Sequence, residues 1–193
     1  SLAANQNLFG EGLIPVAPSR DRFVETTVAI QGLGELELPD SPTFIASDMT
    51  LARPTLQGAA GDSVTLSQNS RFGGFIVDGS GGAGITSNNA GETVIRDVLV
   101  QNTTGAGIFI ENTTGTTTII DTIISDTTGP AFHVDGGGGS VGFLSNSVDL
   151  IPSFSQIDNS SQQAVLIENM LAGGFVSLTG TTISDVGGTG IDI

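Results

Sequence analysis

Apolar and polar residues alternate in short runs along most of the chain. Val98 and Val100 lie at alternate positions of one run, and Ile108 and Ile110 do so in the next. A period of two indicates β-strands with one buried face, and the Thr, Ile and Val residues that dominate these runs are favoured in strands. No run places apolar residues at helical spacing between helix caps. The pattern therefore predicts an all-β fold.

The alternating runs recur along the chain. Residues 98–112 align without gaps with residues 122–136, 24 positions later, and further copies begin near residues 75, 154 and 182. Each copy has two or three short strands joined by tight turns, which is typical of a solenoid. We therefore predict a single-stranded parallel β-helix with coils of about 24 residues. The handedness rule for parallel crossovers predicts right-handed winding.

One turn position marks every copy. An Asp or Asn ends a strand, a small turn follows, and an apolar residue opens the next strand. The five marker residues are Asp78, Asn102, Asp126, Asn159 and Asp185. Asp and Asn alternate in this column, so each amide can donate a hydrogen bond to a neighbouring carboxylate. We interpret the column as a structural turn ladder, because these side chains favour turns.

The repeat divides one domain into two parts. Residues 64–193 are predicted to form regular coils with an insertion near 149–153, where the marker spacing lengthens. Residues 1–63 combine short strands with proline-containing loops, and we expect irregular N-terminal coils or a cap there, with a loop near 40–54 covering the end of the stack. The abrupt start and the strand-like end at Gly190–Ile193 predict an excised part of a longer protein.

A second predicted column stacks acids on successive coils, about 4.8 Å apart. Its members are Asn88, Glu111, Asp135 and Glu168, with no Lys or Arg in register. Like charges at this spacing are unfavourable unless the side chains fan into solvent or a cation bridges them. Both interpretations stay open, and Ca²⁺ is the cation that carboxylates at such a site would hold. Glu111, Asp135 and Glu168 are therefore the candidate ligand or cation residues.

The remaining polar residues offer no catalytic group. Asp97 and Asp121 form a stacked pair beside Arg96, which we interpret as a solvated face. His133 lies between two core-facing residues and should point outward as an ordinary surface histidine. No phosphate-binding loop, zinc spacing or nucleophile elbow is present, so no catalytic residue is predicted.

The amino-acid composition limits the classes of partner that the chain is expected to bind. The 193 residues include 20 acidic residues against five Arg, with no Lys, Cys, Trp or Tyr, and the formal charge is −15. Such a surface repels nucleic-acid phosphates and anionic membranes. No stretch approaches the length of a membrane-spanning segment. We therefore expect no nucleic-acid partner, no membrane insertion by this segment, and no disulfide framework.

Two segments resemble parallel β-helix proteins. Arg71–Ile85 (RFGGFIVDGSGGAGI) is similar to the right-handed β-helix repeats of secreted bacterial proteins. Asn5–Gly12 (NQNLFGEG) resembles the first strand of β-helix regions in large bacterial surface proteins, including autotransporter passengers. The resemblance implies a pectate-lyase-like β-helix region of a secreted or outer-membrane protein, located outside the cell or on the outer-membrane surface.

These observations favour a non-catalytic surface module, an adhesin or stalk segment, whose ligand is a glycan or protein outside the cell. The alternative is a carbohydrate-active enzyme, a polysaccharide lyase or glycoside hydrolase, to which the stacked acids would supply carboxylates. The lack of Lys, Trp and Tyr argues against that alternative. A third hypothesis is a self-associating or ice-binding face at the threonine-rich residues 113–118 and 127–128. Fold alone does not decide among them.

Overall fold

The structure is a computed structural model that describes residues 2–9, 13–15, 27–30, 34–37, 44–47, 53–58, 60–88, 91–145 and 155–193. Every regular element in these ranges is a β-strand. The same ranges contain no helix that is long and apolar enough to cross a membrane. The predicted all-β class is therefore confirmed.

The strands are short, as tight coils require. The first seven are β1 (Asn7–Phe9), β2 (Leu13–Pro15), β3 (Thr27–Ile30), β4 (Gly34–Glu37), β5 (Phe44–Ser47), β6 (Thr55–Gln57) and β7 (Val64–Leu66). The next seven are β8 (Arg71–Gly73), β9 (Ile76–Asp78), β10 (Ile85–Asn88), β11 (Thr93–Arg96), β12 (Leu99–Thr103), β13 (Ile108–Thr113) and β14 (Thr116–Ile120). The last eight are β15 (Ile123–Thr127), β16 (Phe132–Gly137), β17 (Ser140–Leu144), β18 (Ser155–Ser160), β19 (Val165–Glu168), β20 (Phe175–Thr179), β21 (Thr181–Val186) and β22 (Ile191–Asp192).

Three parallel six-stranded sheets form the body of the protein. Sheet 1 has the order β1-β8-β11-β14-β17-β20, sheet 2 has β6-β9-β12-β15-β18-β21, and sheet 3 has β7-β10-β13-β16-β19-β22. The chain visits the sheets in the order 1, 2, 3 and then starts the next coil, so each coil contributes one strand to each sheet. This arrangement is the predicted parallel β-solenoid. Its right-handed winding stays a prediction.

The ladder registers show how regular the coils are. Ile108 pairs with Phe132, 24 positions later, and Leu99 pairs with Ile123 at the same shift. Between the two preceding coils the shift is 23, because Ile76 pairs with Leu99. Ile123 pairs with Gln156, 33 positions later. The extra residues lie between β17 and β18, and the predicted insertion at 149–153 falls outside the described residues.

A long segment of the chain, which we call the excursion, interrupts the first coil between β1 and β6. Strand β1 pairs with β8 in sheet 1, and β6 pairs with β9 in sheet 2, so both belong to the stack. Between them lie two antiparallel pairs, β2 with β5 and β3 with β4. The predicted irregular part, residues 1–63, therefore includes two strands of the stack, β1 and β6. The predicted covering loop at 40–54 falls largely outside the described residues.

Apolar columns from all three sheets fill the interior. Residues of the middle coils, such as Ile95, Val100 and Ile108, are completely buried. Their outward neighbours in sequence are partly exposed, as a period of two requires. In the last coil, the core-facing Val176, Leu178 and Ile183 are only partly buried, because the last strand of each sheet has a neighbour on one side only. The core therefore runs along the axis of the solenoid.

Close packing between coils leaves no room for a side chain at Gly107. A Cβ atom there would lie 2.3 Å from Ile124 Cγ2 and 2.6 Å from the Ala131 carbonyl oxygen. We expect Gly107→Ala to lower the free energy of unfolding by about 1–3 kcal/mol, the usual effect of overpacking a core. Urea denaturation of purified protein measures this. Gly61→Ala is the matched control, because nothing lies within 4 Å of its added Cβ; equal effects of both substitutions would contradict the packing argument.

Candidate functional site

The acidic column stands on the outer surface of sheet 3. Asn88 pairs with Glu111, Glu111 with Asp135, and Asp135 with Glu168 on four successive strands. The structure therefore brings these four residues into the register that the repeat predicts. Alternation places their side chains on the outward face, while Ile110 and Val134 beside them are completely buried. We call this surface the sheet 3 face.

Each carboxylate of the sheet 3 face has a hydrogen-bond partner. The Asn88 side-chain amide donates to Glu111, and the Asn169 amide donates to Asp135 Oδ1 at 2.8 Å. Glu168 Oε2 lies 3.1 Å from His133 Nε2. Amide donors stabilise a carboxylate without a counter-ion. Solvent and these donors together explain how three acids can stack on adjacent coils.

An aromatic ladder runs beside the acids. His133 points outward as predicted, with 18% of its side chain exposed, and pairs with Phe109 on the preceding coil. The two rings stack with centroids 4.6 Å apart and an interplanar angle of 24°. A centroid distance close to the strand spacing means that the rings stack along the solenoid axis. One face of each ring is therefore covered by the other ring, so the pair is a ladder rather than an open platform for a sugar.

The turn ladder lies along sheet 2. The Asn102 amide donates to Asp78 Oδ1 at 2.7 Å, and the Asn159 amide donates to Asp126 Oδ1 at 2.5 Å. Asn102, Asp126, Asn159 and Asp185 all have positive φ. Asp78 differs: it pairs with Gln101, and the left-handed residue in its coil is Gly79. The column is therefore offset by one residue at Asp78, although the amide–carboxylate contact is made.

Replacing the amide of this ladder with an acid tests its contribution. Asn159→Asp would remove the bond to Asp126 and place two carboxylates together, while Asp still tolerates the left-handed conformation. We expect a loss of about 1 kcal/mol at pH 7. Two carboxylates at this spacing repel each other only while both are charged, so the loss should shrink as the pH falls from 7 to about 4.

Urea denaturation across this pH range measures the effect. Gln162→Glu, which adds the same charge at an exposed position of the same coil, should change stability by less than about 0.5 kcal/mol. The ladder interpretation fails if both variants lose the same stability at every pH.

The interpretation of Asp97 and Asp121 as a solvated face is wrong. Asp97 is 0% and Asp121 is 1% exposed, and both occupy the corner from sheet 1 to sheet 2 with positive φ. Arg96 Nε donates to Asp97 Oδ2 at 3.0 Å, and Arg96 itself is 8% exposed. Sequence position did not reveal this, because a corner aspartate beside an arginine is equally compatible with solvent.

A second arginine approaches the buried corner from the end of the excursion. Burial lowers the pKa of the Arg53 guanidinium below its ordinary value, and the negative charge of Asp97 opposes that shift. Asp97 therefore connects a strand of the regular coils with the segment that returns to the stack at β6. Together, Arg53, Arg96 and Asp97 form a charged cluster with a structural role.

Removing the charge of Asp97 should be strongly destabilising. Asp97→Asn keeps the corner conformation but leaves the buried Arg96 and the partly buried Arg53 without this counter-charge, which typically costs about 3–5 kcal/mol. Chemical denaturation at pH 7 measures the change. Asp126→Asn is the matched control at an exposed left-handed corner, and it retains an oxygen that can accept from Asn159. A loss no larger than that of the control would refute the structural role.

A metal site would need several acidic or histidine side chains close together. Within the described ranges, no three His, Asp or Glu side chains are grouped so that they could hold a metal ion. Glu111, Asp135 and Glu168 are instead oriented toward amide and imidazole groups. The Ca²⁺ hypothesis stays a prediction that solution experiments can test.

Comparisons with known proteins assign no family. No family model, no curated protein and no solved structure matches the chain.

Proposed function

We propose that this chain is a non-catalytic extracellular β-helix module, an adhesin or stalk segment of a bacterial surface or secreted protein. The proposal follows from the resemblance of the sequence to autotransporter passengers, within the wider pectate-lyase-like group. The single observation that supports it best is the partnering of the acids on the sheet 3 face. Each of Glu111, Asp135 and Glu168 has a hydrogen-bond partner on a neighbouring coil. These contacts between coils would make the surface rigid.

The shape supports the same proposal. Six stacked strands in each sheet give a rod of about 24 Å between the first and last coil. Corners and outward ladders repeat along it, so a ligand would meet similar groups on successive coils. The sheet 3 face combines acids with Phe109 and His133 and is the proposed contact surface for an extracellular glycan or protein.

The alternative, a carbohydrate-active enzyme, is favoured by one specific observation. Glu111 and Asp135 stand on neighbouring strands, and the strand spacing of about 4.8 Å is close to the carboxyl separation of about 5–5.5 Å in retaining glycosidases. Against it, neither residue is completely buried, and burial is the usual means of keeping a catalytic acid protonated.

A polysaccharide panel discriminates between the two functions. We expect the purified chain to release no reducing ends and no unsaturated products from acidic and neutral polysaccharides, with or without added Ca²⁺. Cleavage that disappears in the Glu111→Gln/Asp135→Asn double variant would overturn the proposal and establish the enzyme.

Binding is measured with an array of glycans and extracellular-matrix proteins. We expect the same double variant to lose at least tenfold in affinity for any ligand of the sheet 3 face. Asp126→Asn removes a charge from sheet 2 and should bind normally. Equal binding by all three proteins would remove the sheet 3 face as the contact surface.

A further inference from the structure

Buried hydroxyl groups are found at all three corners of the solenoid, and at one corner several of them have no hydrogen-bond partner among the described residues. At the corner from sheet 2 to sheet 3, Thr103 Oγ1 donates to the Gly105 carbonyl oxygen at 3.1 Å. In the next coil, Thr127 Oγ1 donates to the Gly129 carbonyl oxygen at 3.0 Å. Ser160 follows in the same column and donates to the Gln163 carbonyl oxygen at 3.0 Å. Buried hydroxyls are hydrogen-bonded in this way in most proteins.

The corner from sheet 3 to sheet 1 is different. It contains Ser87 in β10, Thr93 in β11, Thr113 in β13 and Thr117 in β14, all at most 1% exposed. None of the four hydroxyl groups has a hydrogen-bond partner among the described residues. They lie at two successive turns of the chain, and Thr93 and Thr117 are paired in the ladder. A buried hydroxyl without a hydrogen-bond partner lowers the free energy of unfolding by about 1–3 kcal/mol. Four such hydroxyls at one corner therefore require an explanation.

A small residue leaves space next to this corner. Ser87 occupies a core-facing position of sheet 3, where the residues paired with it on the neighbouring strands are Leu66 and Ile110. The serine side chain has two fewer non-hydrogen atoms than either neighbour. The polar corner therefore adjoins a core position that is less filled than the same position on the neighbouring coils.

We propose that this corner is a binding site for internal water, held by the hydroxyls of Ser87, Thr93, Thr113 and Thr117. The repeat of the solenoid suits such a ligand. Hydroxyls of stacked threonines in the same rotamer lie about 4.8 Å apart, and a water bridging them with bonds of about 2.8 Å subtends an angle of about 118°. That angle is close to the tetrahedral geometry of water. Buried water typically makes two to four such bonds, which matches the donors and acceptors present.

Substitution by valine, which has nearly the same shape as threonine, tests the proposal by the sign of its effect. If water bridges the hydroxyls, Thr117→Val and Thr93→Val remove a water ligand and should lower the urea midpoint. If the corner is dry, the same substitutions remove a buried unpaired hydroxyl and should raise the midpoint. Thr127→Val is the control, because its hydroxyl bonds to protein groups and its loss should lower the midpoint in either case. A raised or unchanged midpoint for Thr117→Val overturns the proposal.

The unsubstituted protein provides an independent measurement. A crystal structure at atomic resolution should show ordered water within hydrogen-bond distance of Thr93 Oγ1 and Thr117 Oγ1. Empty density at that corner, or new protein partners for both hydroxyls, would refute the site whether or not the valine variants fold.

Discussion

The parallel ladder between coils, with its fixed spacing of about 4.8 Å, is the constraint on which the rest of this structure depends. Each coil must return the chain to the same place, so the corners recur at equivalent positions. Several of these corners need a left-handed backbone conformation. Every non-glycine residue with positive φ in the described ranges is Asn or Asp, the types that tolerate this conformation best. Backbone geometry therefore determines which residue types occupy the corner columns, whatever other role those residues have.

The same spacing turns single side chains into ladders. Apolar residues stack along the interior, Phe109 and His133 stack outside it, and amides alternate with carboxylates at the turns. A column of like charges cannot use this geometry freely, because repulsion at the strand spacing is unfavourable. The chain resolves the conflict with side-chain partners: the amides of Asn88 and Asn169 and the imidazole of His133 contact the acids of the sheet 3 face. This resolution favours a structural and binding role over acid–base chemistry.

The two longest interruptions of the repeat both begin after a sheet 1 strand and end before a sheet 2 strand. One lies between β1 and β6 and the other between β17 and β18. The coils between them turn the same corner through Gly74, Asp97 and Asp121, which all have positive φ. Asp97 is buried with Arg96 there, and its charge acts on Arg53. Charge at this corner thus stabilises the junction of the regular coils with the first excursion.

The sequence by itself determined the class, the coil length and the register of the acidic column, because a strand repeat of period two and a shift of 24 leave little choice of stacking. Tertiary structure decided the rest. It offset Asp78 by one residue, since Gly79 takes the left-handed position in that coil, and it buried Asp97 and Asp121. It also decided which buried threonines find partners. Burial and hydrogen bonding at a corner depend on neighbouring coils far away in sequence, and a local pattern of polar residues does not contain that information.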